Sequence, residues 1–232
     1  MAYKHIFFDL DHTIWDFESN SKEALIELYH GFELEKLGEK VNFEDFLTIY
    51  YEVNYGLWRL YDLGKIDQHE LRYSRFKTVL NKMDVPDHLI PNIQLSDEYL
   101  RLTPLKSRLM PYAIEVLEYL QKNYVLHIIT NGFADVQDIK LASSGLRPYF
   151  DLIVTSENAG YKKPSREIFD YTIRKSKAMR QECLMIGDNL ETDIQGAKNA
   201  ELDHIFYNPL KKTHQEDIQM EIDCLSKLIY IL

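Results

Sequence analysis

Asp9 and Asp11 close the apolar run Ile6-Phe7-Phe8 and are the first residues of the chain equipped for chemistry. An extended backbone points alternate side chains the same way, and a turn would still leave both acids on one rim. Two carboxylates facing one point suit a hard divalent cation or an acid and a base acting as a pair. A single acid in that position would more simply cap the next element. Later strand-like runs end in polar groups too: Thr130-Asn131-Gly132, Ser156-Glu157-Asn158 and Gly187-Asp188-Asn189. A hydroxyl beside a glycine turn, where backbone N–H groups can approach closely, suits an anion, although the same residues also make an ordinary turn. Lys163 stands before Pro164, whose ring keeps the preceding residue extended, and its amine can neutralise a phosphate. Asp188 lies flush with a strand end, and Asp193 falls in the first turn of the helix that follows. Three or four carboxylates at one point repel unless a cation holds them, and Mg²⁺, with oxygen ligands and retained waters, suits that need.

These groups meet only if the elements carrying them bring their ends together. From Met110-Pro111 onward the pattern alternates. Residues 111–122 read as an amphipathic helix with Ile114, Leu117 and Leu120 on one side, and 125–130 as a buried strand. Residues 136–144 read as a helix stopped by Gly145, 151–156 as a strand and 165–175 as a helix. Residues 183–187 are then a strand, 192–199 a helix and 204–207 the last clear strand. Such alternation implies right-handed βαβ units and a parallel sheet covered on both faces. In a sheet of that kind the strand ends share one edge, where ligands bind.

Between Trp15 and Leu102 there is no strand signal. Ala24, Leu25, Leu28, Tyr29 and Phe32 recur at helical spacing, with Gly38 as a plausible stop, and 43–62 is a second helical stretch. Asp67 with Glu70 resembles a capping box opening a third helix, and Pro86 and Pro91 punctuate a fourth. The expected fold is therefore α/β. A Rossmann-like parallel-sheet core, residues 1–16 and 103–232, carries an all-helical cap, residues 17–102, inserted after the first strand.

Composition narrows the function further. With 37 acidic against 27 basic residues the formal net charge is −10, which repels polynucleotides and anionic membranes where no basic patch overrides it. Lys162-Lys163 and Lys211-Lys212 are only short pairs. Cys183 and Cys224 supply no disulfide framework. The chain enters a strand pattern at once, without a charged-then-apolar leader, and no apolar run approaches a bilayer span. The expectation is a cytoplasmic protein with a small-molecule partner, no nucleic-acid polymer and no membrane, as a monomer or weak homo-oligomer.

Taken together, Asp9-Leu10-Asp11-His12-Thr13, Thr130, Lys163-Pro164 and Gly187-Asp188 with Asp193 resemble the four ordered motifs of the haloacid dehalogenase-like hydrolase superfamily. The helical insertion resembles the cap of its subgroup whose cap follows the first strand. His12 departs from the pattern, many members having Gly there, but it lies between the motif's fixed positions. The resemblance implies that Asp9 is the nucleophile of an aspartyl-phosphate mechanism, with Asp11 as acid and then base. It also implies a Mg²⁺ held by Asp9, Asp188 and the backbone carbonyl of Asp11, with Asp193 orienting its waters. Thr130, the turn at Asn131 and Gly132, and Lys163 would take the charge on the phosphoryl oxygens. Dehalogenation fits less well, because that chemistry needs neither the metal nor the second acid.

Asn54-Tyr55-Gly56-Leu57-Trp58, Gly64-Lys65-Ile66 and Arg75-Phe76, with Thr130-Asn131-Gly132-Phe133, resemble a bacterial pyrimidine 5′-nucleotidase subgroup. On that resemblance Asn54 and Trp58 are substrate-binding candidates, Trp58 offering a flat face to a base. Aromatics at helical spacing are also ordinary bundle core. A sugar-phosphate phosphatase, neuraminate-type phosphates included, is the alternative substrate class, and a non-catalytic binding module on the same fold is the alternative of a different kind.

Overall fold

Ile6, Phe7 and Phe8 have no exposed surface, because the strand they form is central and packed on both faces. The computed structural model describes residues 3–232. After β1 (His5–Phe8) come four helices: α1 (Phe17–Gly31), α2 (Phe43–Asp62), α3 (Gln68–Lys82) and α4 (Asn92–Leu102). The chain continues with α5 (Ala113–Leu120), β2 (Val125–Thr130), α6 (Ala134–Ser143), β3 (Leu152–Thr155), α7 (Ser156–Ala159) and α8 (Arg166–Ser176). It ends with β4 (Cys183–Gly187), α9 (Gln195–Asn199), β5 (Asp203–Tyr207), β6 (Glu221–Ile222) and α10 (Leu228–Ile231).

The strands form one sheet in the order β3-β2-β1-β4-β5-β6, every neighbouring pair parallel. Phe8 is in register with Ile128 on one side and Ile186 on the other, so β1, β2 and β4 end nearly level. Alternate side chains go to opposite layers. Ile6 and Phe8 join Val116 and Leu117 of α5, Leu141 of α6 and Leu228 of α10, whereas Phe7, Ile129 and Met185 join Ile168 and Phe169 of α8 and Ala197 of α9. A sheet covered on both faces is why its strands read as continuous apolar runs.

Two compact units result, one of Met1–Phe17 with Ser107–Leu232, the other of Glu18–Lys106. The second is a helical bundle whose core draws on all four helices, including Leu25 and Leu28, Phe46 and Tyr50, Phe76 and Leu80, and Leu95 and Tyr99. Asn42 and Asp67 cap α2 and α3 by accepting from the amides of Asp45 and Glu70. No helix among the described residues is long and apolar enough to cross a membrane.

Some boundaries differ from the sequence reading. The first helix stops at Gly31 rather than Gly38, a short 3₁₀ turn covering Leu34–Leu37. β6 is only two residues long, too short for a periodic signal. The helix expected from residue 192 instead opens with a wide π turn, Leu190–Ile194, which leads into α9.

Candidate active site

Asp9 directly follows β1, and its N–H donates to Ile186 O at 2.9 Å, which holds it at the sheet edge beside β4. Its Oδ1 accepts from Lys163 Nζ at 2.5 Å, and the same ammonium donates to Asp193 Oδ1 at 2.6 Å. All three side chains are buried. Oxygen atoms of Asp9, Asp188 and Asp193 all lie within 4.8 Å of one another. Asp188, partly exposed, accepts from the buried Thr13 hydroxyl at 3.2 Å.

The backbone explains why Asp193 reaches this point. Asn189 caps the π turn, its Oδ1 accepting from the amides of Glu191 and Thr192. The carboxylate of Asp193 then folds back to accept from Asn189 N at 3.0 Å. A Cβ on Gly187 would stand 2.3 Å from Asp193 Oδ2, so a side chain at 187 would close the space that carboxylate occupies. Lys163 is anchored in the same way from outside its own loop. Asn131 donates from Nδ2 to Lys163 O at 3.0 Å and accepts from Lys163 N at 2.8 Å. The Asn131 side chain therefore joins the loops after β2 and α7.

Three carboxylates share one ammonium, and the charge imbalance shows in their proton affinities. Burial pushes Asp9 up to about 7, the repulsion of Asp193 and Asp11 adding to it and Lys163 opposing it. Burial and then Asp193 and Asp9 push Asp188 well above the carboxylate range. Burial acts against the charge on Lys163, but Asp193 and Asp9 overcome it and raise the lysine above its ordinary value. An all-oxygen, hard-donor set with excess negative charge is the environment a divalent cation such as Mg²⁺ fits. The residues available to it are Asp9, Asp188 and Asp193.

Asp11 faces a different set of partners. Its Oδ1 accepts from Lys140 Nζ at 2.6 Å and its Oδ2 from Gln137 Nε2 at 2.9 Å. Burial would raise its pKa, but Lys140 and Gln137 outweigh it and hold Asp11 below the usual carboxylate value. Neighbouring acids two residues apart thus titrate in opposite directions, a division of environment that suits two chemical roles. Lys140 also lies over the Trp15 ring, 4.4 Å from its centroid. His12, between the acids, holds φ at 64°, the left-handed region that favours glycine.

Thr130 Oγ1 accepts from Gln137 Nε2 at 2.9 Å and from Gly132 N at 3.0 Å. With both acceptor sites filled, its own O–H is left to donate outward. The Gly132 amide is thereby turned toward Thr130. A Cβ at Gly132 would sit 1.9 Å from Gln137 Nε2, so glycine is what lets Gln137 reach both partners.

Sequence reasoning singled out neither Gln137 nor Lys140. Both are buried on α6, one helical turn apart, and a lysine and a glutamine on the buried face of an amphipathic helix are the signal that could have found them. Thr13 stands in the first motif of the sequence reading with no role of its own there; the structure gives it the hydrogen bond to Asp188. Asn54 and Trp58 lie on α2 in the helical unit. Asn54 is 2% exposed with Oδ1 unpartnered, and Trp58 is half-buried, meeting Tyr61 edge-on at 5.7 Å between centroids.

Comparison with known proteins places this chain among hydrolases. A family model described as haloacid dehalogenase-like hydrolase matches residues 3–201. The pyrimidine 5′-nucleotidase YjjG of Escherichia coli is 34% identical over 94% of this chain and 92% of its own. The pyrimidine 5′-nucleotidase PynA of Streptococcus pneumoniae is 32% identical over 99% of this chain and 98% of its own. Among solved structures, the HAD-hydrolase YfnB of Bacillus subtilis, bound to magnesium, matches with a TM-score of 0.88 at 31% identity, covering 100% of this chain and 99% of that one.

Proposed function

Because the chain belongs to the haloacid dehalogenase-like hydrolase family, we propose that it is a Mg²⁺-dependent phosphatase of small phosphate monoesters, acting on pyrimidine nucleoside 5′-monophosphates through an aspartyl-phosphate. The observation that carries the reading is the buried group of Asp9, Lys163 and Asp193 with Asp188 beside it. It combines a nucleophilic carboxylate, a cation for phosphoryl oxygens and a hard oxygen donor set. The choice of pyrimidine nucleotides is supported by the two nucleotidase relatives.

In this mechanism Asp9 attacks phosphorus in line as the bond to the leaving oxygen breaks. Asp11 supplies the proton that the departing alkoxide takes. Water then attacks the aspartyl-phosphate, its proton going to Asp11, and the bond between phosphorus and Asp9 breaks to free the enzyme. Thr130, through the O–H left free to donate, and Lys163 meet the oxygens of the transferring group. Lys140 and Gln137 favour the ionised Asp11 that the second half needs, so protonation of the leaving group requires the Asp11–Lys140 pair to loosen once substrate is present. Mg²⁺, held by Asp9, Asp188 and the Asp11 carbonyl with Asp193 orienting its waters, would neutralise phosphoryl charge and keep Asp9 ionised.

The test is phosphate release by purified protein in Mg²⁺, and again in chelator, from UMP, dTMP, CMP, AMP, a hexose phosphate and a neuraminate phosphate. The expected result is Mg²⁺-dependent hydrolysis with the highest kcat/KM on pyrimidine nucleotides. Full activity in chelator removes the metal from the reading, and a preference for either sugar phosphate replaces the substrate class.

A further inference from the structure

The helical unit buries a charge that its own carboxylates leave alone. Arg75 of α3 is 4% exposed, its Nε has no hydrogen-bond partner, and no acid among the described residues pairs with it. A guanidinium stays protonated at any working pH, and a buried charge without a counter-ion is costly. Among the described residues its close company is aromatic. Arg75 Cζ lies 5.1 Å from the centroid of Tyr99 and 5.9 Å from that of Tyr50, rings that stand 5.5 Å apart. Those rings are themselves fixed, Tyr99 by a 3.1 Å hydrogen bond with the buried Ser21 hydroxyl and both by packing on Phe76. The guanidinium thus lies against fixed rings while its Nε–H remains unpartnered.

A complementary vacancy in bonding lies on the neighbouring helix. Asn54, one turn beyond Tyr50 on the same face of α2, is 2% exposed and its Oδ1 lacks a donor. The short connection between α2 and α3 makes them antiparallel neighbours. Asn54 and Arg75 then lie at nearly equal distances along the two helices from the turn that joins them. A planar fork of donors and a single amide acceptor at one level call for a flat group that presents oxygen or nitrogen acceptors next to an N–H.

We propose that Arg75 and Asn54 form the helical unit's receptor for the carbonyl edge of a pyrimidine base, Arg75 donating to ring acceptors and Asn54 Oδ1 accepting the neighbouring N–H. Uracil and thymine offer O4, N3–H and O2 for this, and cytosine offers O2 and N3 with its N4–H₂. A carboxylate would satisfy the Arg75 fork but would set its oxygens against Asn54 Oδ1, which favours the base. The identity of the ligand rests on the nucleotidase reading above; the existence of a receptor does not.

The experiment compares wild type with Arg75→Met, Arg75→Lys and Asn54→Ala on dTMP and on p-nitrophenyl phosphate, and measures thymidine as a competitive inhibitor of the second reaction. The expected result is that Arg75→Met lowers kcat/KM at least about tenfold more for dTMP than for p-nitrophenyl phosphate and raises the thymidine inhibition constant by a similar factor. Arg75→Lys, which keeps the charge and loses the fork, should recover only part of that ratio, and Asn54→Ala should shift it in the same direction as Arg75→Met. If Arg75→Met and Arg75→Lys change both substrates equally and leave thymidine inhibition as in wild type, Arg75 is packing and the receptor is overturned. If Arg75→Met does not fold, the Arg75→Lys and Asn54→Ala ratios decide alone. A wild type that prefers a sugar phosphate to dTMP sinks the nucleotidase reading instead, and the same variants, read on the preferred substrate, then decide whether Arg75 is a receptor for another acceptor-bearing group.

Discussion

Replacing Lys163 by Met tests the electrostatic core of the site in a single step. The ammonium is 2% exposed and bridges Asp9 at 2.5 Å and Asp193 at 2.6 Å, partners that are 10% and 1% exposed. Removing one member of a buried ion cluster leaves uncompensated charge and costs about 3–5 kcal/mol. For a chain of this size each kcal/mol moves Tm by about 2–4 °C, so the melting of the sheet-bearing unit should fall by roughly 6–20 °C at neutral pH in chelator. The sign with pH follows from the acids. Without Lys163 the folded-state pKa of Asp9 rises further above its unfolded value, so the unfolded chain is the one that releases the proton first. Stability is then lost as pH rises between those two values, and the deficit should shrink as pH is lowered. Turnover should drop by roughly 10²–10³-fold, as when a preorganised donor to a transition-state oxygen is removed. Thermal scans and phosphate release at several pH values read both effects. A Tm within about 2 °C of wild type across that range would refute the cluster as the source of stability, and undiminished turnover would refute the phosphoryl contact.

Asp9→Asn should keep the fold and abolish phosphate release together with any acid-stable, base-labile acyl-phosphate, since the amide is isosteric but does not attack phosphorus; residual trapping of labelled phosphate on the variant would contradict the assignment. Lys140→Met removes what holds Asp11 low, so the alkaline limb of kcat, where Asp11 must carry its proton, should move to higher pH, and a limb that stays in place removes Asp11 as the acid. His127, fully buried on β2 against His5 at 3.0 Å, is brought down to about 4 by burial and then by that neighbour. Its contribution is complete above the unfolded value of 6.5 and is lost as pH falls toward 4, about 3 kcal/mol in all. His127→Gln should flatten that part of the denaturation-versus-pH curve, and identical slopes in both proteins would dismiss it.

Much of the fold is legible in local sequence because its strands are short, apolar and buried on both faces. The runs at 125–130 and 183–187 are strands to the residue, and the alternation after residue 110 implies a parallel sheet, while the order that sets the ends of β1, β2 and β4 side by side comes from the structure. Polar residues that stop such runs are visible for the same reason, and so Asp9, Thr130 and Asp188 stand out before any coordinates, as does Lys163 ahead of Pro164. What those residues touch is another matter. Asp11 and Lys140 are separated by 129 positions, Asp11 and Gln137 by 126, and Thr13 and Asp188 by 175. No periodicity spans such separations. Their meeting depends on helix packing and on the room that Gly132 and Gly187 leave for neighbouring side chains. The opposite titration of Asp9 and Asp11 likewise belongs to tertiary structure, because the two carboxylates share a sequence environment and differ in what reaches them: burial beside Asp193 outweighs Lys163 at Asp9, whereas Lys140 and Gln137 outweigh burial at Asp11. In the helical unit Arg75 enters the sequence reading only as part of a resemblance; only the packed helices reveal a guanidinium set beside the Tyr50 and Tyr99 rings with its Nε unpartnered.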